Sequence, residues 1–232
     1  ALVVVIVASS SNGGGSTHVS NSQKTQAQAT VASTLAGIPQ HNNVLGNPNA
    51  PVTITEYGDL VCPICRDFAT TSEPQIIDSL VKTGKAKLVF RGMETASGTA
   101  NGSQYVNTQV AARSAGLQNK EWDYVLLTYQ EQPQTINGTA AEQVSYVNQT
   151  YLQNLAKQVK GLNLAQWQGH MTDQTLVNAV NADGQAAQAA GATGTPAIYV
   201  KGPKGTVMYN QNNTLSAVPT EQQIQQLVSQ QS

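Results

Sequence analysis

Between residues 52 and 57 apolar and polar positions alternate, with Val52 and Ile54 on one side and Thr53 and Thr55 on the other. A period of two in β-branched residues predicts a strand. Beyond the loop Gly58-Asp59-Leu60-Val61 the period lengthens. Phe68, Ala69, Ile76 and Leu80 recur at helical spacing, predicting a helix over about 62–82 with a kink at Pro74. Thr83-Gly84-Lys85 reads as a turn, and Ala86 to Arg91 returns to a strand. The order strand–helix–strand predicts a parallel pair.

From Ser103 to Ala190 the pattern is helical. Tyr105, Val106, Val110, Ala111 and Leu117 mark one helix, and Trp122, Val125, Leu126 and Tyr129 a second that ends before Pro133. Val144, Val147, Tyr151, Leu155 and Val159 mark a third, stopped at Gly161. Leu164 to Met171 reads as a short fourth. Asp173 is placed to cap a fifth through Leu176, Val177 and Val180, with a further helical stretch from Asp183 or Gly184. The Tyr and Trp stripes of this region read as core. Two strands follow, at about 197–201 and 206–210, joined tightly by Gly202-Pro203-Lys204-Gly205 as an antiparallel hairpin. Val218 to Ser229 closes the pattern as an amphipathic helix with Thr220 as its cap.

Composition changes this picture in one respect. Charged residues make up 11% of the 232 residues, against about 25% in a typical domain. Gln, Asn, Ser and Thr take the surface positions. Sparse carboxylates suit a protein exposed to an acidic medium, with a compositional bias of the lineage as the equal alternative. The net charge is −1 and no basic stripe occurs, which argues against nucleic acid as a partner. Residues 1–8 are apolar but too few to span a bilayer, and they read as the end of a signal or anchor segment, or else as a buried first strand. No cysteine lies near them, which argues against a lipid anchor. Residues 9–40 read as a Ser/Gly/Thr/Gln-rich linker.

The chemistry is concentrated in Cys62-Pro63-Ile64-Cys65, which holds the only two cysteines of the chain. Pro63 suits the first helical position, where its missing N–H costs nothing. Cys62 would then cap the helix, its sulfur near unpaired N–H groups that favour a thiolate. Cys65 would lie one turn further in. That assigns Cys62 as attacking nucleophile and Cys65 as resolving thiol. Zinc would need four ligands, and only His18, His41 and His170 remain as scattered candidates. A purely structural disulfide would close only a tiny loop and stabilise little. Neither metal nor cofactor is expected. Glu56 shares a strand face with Val52 and Ile54. It is either a buried acid able to exchange a proton with Cys65 or an exposed strand-end glutamate. Thr195-Pro196 precedes the run Ala197-Ile198-Tyr199-Val200, as a strand-opening proline or an ordinary turn.

An acid six residues before the first cysteine, then CPxC, then a late Gly194-Thr195-Pro196 before a β run, resembles the DsbA-like family of exported thiol–disulfide oxidoreductases. The likeness is to its Gram-positive, membrane-tethered members, and the stretch Gly46 to Ile54 contributes to it. It covers about residues 40 to 231. The resemblance implies an α/β thioredoxin fold, over 41–102 and 184–232, with an inserted α-helical subdomain over 103–183. It implies that Cys62 is the nucleophile, Cys65 its partner, Glu56 the buried acid, and Pro196 a cis-proline against the disulfide. Thr195 would hold substrate peptide by its backbone, and Pro63 and Ile64 would line the same binding surface. Ile64 stands where the enterobacterial enzyme has histidine, which removes a donor to the thiolate. Expected partners are unfolded exported proteins and a membrane redox partner that reoxidises the enzyme, in an extracytoplasmic location with an N-terminal tether. A reductase or isomerase on the same fold, and a non-catalytic peptide-binding module, are the competing readings.

Overall fold

The structure, a computed structural model, describes residues 19–98, 103–209 and 218–232. The expected signal or anchor segment, 1–8, lies outside the described residues, as does the linker up to residue 18.

The chain enters through α1 (Asn21–Leu35), which replaces much of the expected linker. Ser20 caps it reciprocally with Gln23, and Ala27, Val31 and Leu35 recur every fourth residue on its one buried stripe. A sparse stripe in a Gln- and Thr-rich segment is a weak signal, and packing against a neighbouring helix completes it. Two short strands, β1 (Gln40–His41) and β2 (Val44–Leu45), turn back on each other. Then come β3 (Val52–Gly58), α2 (Pro63–Thr71), α3 (Glu73–Ile76), a π-helical turn over Ile77–Val81, and β4 (Ala86–Gly92). The helix breaks at Ser72, two residues before Pro74, close to the expected kink.

The insertion consists of α4 (Ser103–Gly116), α5 (Glu121–Glu131), a small hairpin of β5 (Thr135–Ile136) and β6 (Thr139–Ala140), α6 (Gln149–Ala156), α7 (Leu164–Gly169) and α8 (Gln174–Ala189). Two expectations fail here. The third helix does not begin at Val144. Its first part is extended, with the backbone amides of Tyr146 and Val147 bonded to the Gln104 side chain at 3.0 Å. The fifth helix does not restart at Asp183 or Gly184, because α8 runs through both and buries Asp183. The expected boundary between 183 and 184 therefore falls inside a helix.

The chain ends with β7 (Ala197–Gly202), β8 (Gly205–Met208) and α9 (Glu221–Gln231). The main sheet runs β1-β2-β4-β3-β7-β8. β3 lies in the middle, parallel to β4 and antiparallel to β7. This is a mixed α/β thioredoxin fold with a helical insertion between β4 and β7. Val52, Ile54, Leu88, Phe90, Ile198 and Val200 join Phe68, Ile76, Ile77, Leu80, Ile224 and Val228 in one core. Tyr57 and Tyr199 occupy a second cluster with Ala187 of α8 and meet edge to face at 5.6 Å.

The insertion is also tied to the sheet by charge. Asp183 accepts from Arg91 Nε of β4 at 2.6 Å and pairs with Arg113 of α4, while Arg113 Nε lies 3.7 Å from Glu121 Oε1. Three elements thus meet at one nearly buried aspartate, and Arg113 links α5 to it.

Candidate active site

β3 delivers the chain to the site, and its register sets the surroundings of Glu56. Glu56 pairs with Phe90 on one side and Ile198 on the other, so its side chain enters the core between two apolar residues. It is fully buried, and no other residue donates a hydrogen bond to either carboxyl oxygen. Burial first, then Glu73 and Cys62, pushes its pKa well above the ordinary carboxyl value. A Cβ on Gly58 would lie 2.8 Å from Phe90, 2.9 Å from the Tyr129 hydroxyl and 3.1 Å from Glu56 Oε1. The missing side chain there lets the strand end close over the acid.

The loop after β3 is pinned by Asp59. Oδ1 accepts from the Val61 amide at 3.0 Å, and Oδ2 accepts from the amides of Thr95 at 2.8 Å and Ser97 at 2.9 Å and from the Ser97 hydroxyl at 2.8 Å. Gln132 Nε2 donates to the carbonyls of Leu60 at 3.0 Å and Cys62 at 3.3 Å. Cys62 is held from both sides as the N-cap of α2, with Pro63 opening the helix.

Both cysteines are free thiols. Cys62 is 6% exposed and Cys65 is not exposed at all. The Cys62 sulfur donates to the Thr195 carbonyl at 3.7 Å. The Thr195–Pro196 bond is cis. Ile64 is half-buried beside the pair.

The Cys62 pKa is lowered to about 7. The leading cause is the hydrogen bond from the Cys65 thiol, opposed by burial and helped by Thr195 and the Cys65 amide, while the Asp59 carboxylate works against it. The sulfur is acidic chiefly because its mate donates to it. Cys65 moves the other way, well above the ordinary thiol value, through burial and then through Cys62 and Glu56. One thiol of the pair is made to ionise and the other to keep its proton. Such a pair opens and closes a disulfide with a partner's sulfur.

A family model described as Thioredoxin matches residues 40–219, most of the chain. The chain belongs to the thioredoxin family. Among relatives of this chain, "Probable disulfide bond formation protein D" of Bacillus anthracis is 24% identical over 164 residues, 68% of this chain and 69% of the relative. "Disulfide bond formation protein D" of Bacillus subtilis is 25% identical over 159 residues, 68% of this chain and 66% of the relative. The chain thus spans about two thirds of the curated relatives it matches. The crystal structure of oxidised BdbD from Bacillus subtilis superposes with a TM-score of 0.65 at 21% identity, covering 84% of this chain and 96% of that one.

Sequence reasoning named Glu56, Cys62, Cys65, Pro63, Ile64, Thr195 and Pro196, and the fold brings these seven together. It missed Asp59, Thr95, Gln132, Tyr129 and Glu73. Glu73 had a signal: with Ile76, Ile77 and Leu80 it completes an i, i+3, i+4, i+7 stripe, so a carboxylate stood on an apolar face. The Oδ2 contacts of Asp59 come from residues 36 and 38 positions away and had none. Among the described residues no group of three or more His, Cys, Asp or Glu is placed to hold a metal ion.

Proposed function

We propose that this protein is a DsbA-like thiol–disulfide oxidoreductase that works outside the cytoplasm and donates its disulfide to exported proteins that are still folding. The observation that carries this reading is the asymmetry of the two sulfurs: an acidic Cys62 at the surface of the site, and a sealed Cys65 beneath it that retains its proton.

A substrate thiolate attacks Cys62 Sγ of the oxidised enzyme. A mixed disulfide forms, the Cys62–Cys65 bond breaks, and its electron pair passes to Cys65. Glu56, held protonated by burial, gives its proton to that sulfur. A second substrate thiolate then attacks the substrate's own sulfur and expels Cys62. Cys62 leaves readily because its thiolate is stabilised. The substrate has lost two electrons and the enzyme has gained them. A membrane-bound oxidant removes them again, and an N-terminal tether keeps the enzyme near it. The Thr195 backbone pairs with substrate as a strand would, beside Pro196, with Pro63 and Ile64 flanking. The names of the Bacillus relatives support the direction, since both are described as disulfide bond formation proteins.

Trapping tests it. C65A should accumulate mixed disulfides at Cys62 with exported polypeptides, and C62S should trap nothing and lose dithiol oxidation. Dithiol oxidation that survives in C62S would refute the assignment. A reduction potential nearer −270 mV than about −120 mV would make the enzyme a reductase.

A further inference from the structure

Glu56 is not the only carboxyl sealed in the core. Glu73, where the helix restarts after its break at Ser72, has no exposed surface either. Both oxygens of Glu73 and both of Glu56 lack any donor. The two carboxyls are hydrogen-bonding neighbours. The ionisable groups acting on Glu56 are Glu73 and Cys62, and Glu56 acts in turn on Cys65 and on Tyr129 of α5. Every one of these is neutral or negative. Phe90 of β4 and Ile198 of β7 flank Glu56, and Phe68 and Ile76 belong to the same core.

Two neighbouring carboxylates in such a place cannot both ionise at neutral pH. A proton between them gives an O–H···O⁻ bond and removes the repulsion. We propose that Glu73 is the second half of a proton-sharing carboxyl pair with Glu56, and that this pair, rather than Glu56 alone, supplies the proton that Cys65 takes when the disulfide opens. The proposal rests on the role given to Glu56 above. Glu73 is a positioning residue, acting through Glu56. With both carboxyls protonated, the Glu56 O–H bond breaks and its proton goes to the Cys65 sulfur, whose new electron pair forms the S–H bond. The charge left on Glu56 then accepts the Glu73 proton in a hydrogen bond. Without Glu73 that charge would stand bare between Phe90 and Ile198. Reoxidation returns the proton by the same path. Burial, which pushes Glu73 up to about 7, keeps this second proton in place near neutrality.

The test follows the carboxyl stretch of the intact oxidised protein by infrared difference spectroscopy across about pH 4 to 9, beside the pH profile of dithiol oxidation. Wild type should show a coupled titration in two steps more than about one unit apart. E73Q should leave a single step about one unit or more below the upper one, and the rate profile should move with it. E73M, which refills the site with an apolar chain, guards against poor folding of E73Q and should likewise leave one step. A wild-type titration and profile in both Glu73 variants would overturn the pair. A shift in E56Q without one in the Glu73 variants sinks only the pair, whereas an unshifted E56Q sinks the role of Glu56 and the relay with it.

Discussion

The hydroxyls of Thr95 and Thr195 meet at 2.6 Å across a hundred residues of chain. Thr95 is itself anchored on Asp59, and Thr195 presents its carbonyl to Cys62. The loop before the first cysteine and the loop before Pro196 are therefore one unit, with the Thr95 segment as its bridge. T95V should remove the bridge at a cost of about 1 kcal/mol. Steady-state oxidation of a dithiol peptide should then show KM raised more than kcat, because substrate capture depends on that loop. D59A should be far worse. It strands the amides of Val61, Thr95 and Ser97, each at about 1–3 kcal/mol. A lowered midpoint in urea denaturation is the check.

The thiolate of Cys62 should titrate near 7 in the reduced enzyme, followed by ultraviolet absorbance. C65A removes the leading donor to that sulfur, so its midpoint should rise. Alkylation at mildly acidic pH should slow about tenfold for each unit of that rise. An unchanged midpoint in C65A would return the credit to the helix terminus.

Stability of the oxidised enzyme should fall as pH rises from about 5 to about 7. Glu73 and Glu121 are both raised to about 7 by burial. Their unfolded values are ordinary, so between about 4.5 and 7 the folded chain binds more protons than the unfolded one. Stability is then fully present below the unfolded value and is lost toward 7, at about 1.4 kcal/mol per unit for each group. Chemical denaturation at several pH values should show this slope, and E73Q or E121Q should flatten it. Unfolding near pH 3 would instead exclude adaptation to an acidic medium.

D183N should destabilise the fold by about 3 kcal/mol. It leaves the partly buried guanidinium of Arg113 and the more exposed one of Arg91 without their shared carboxylate. Because Asp183 sits on α8 and both arginines lie on other elements, the loss should appear first as protection lost from α8 in hydrogen exchange.

The pattern along the chain was enough for β3, α2 and β4, because each carries its own period and its own punctuation at Gly58, Pro63 and Gly84. It misled from Val144 to Val147, where apolar spacing predicts a helix. Just before, Asn137-Gly138 is a strong hairpin signal, and both residues have positive φ. That spacing could not show that Gln104 would satisfy the backbone of Tyr146 and Val147 from another element.

From the chain alone came the two sulfurs, their spacing, the proline that opens the helix beneath them and the acid six positions earlier, since these are local facts about residue type and order. The packed molecule adds the physical reason why Cys62 ionises and Cys65 keeps its proton. A thiol's acidity depends on what donates to it and how much water it has lost. Here the donors to Cys62 are Cys65 from the same motif and Thr195, which the fold carries to the site from 133 residues away, while packing removes the water.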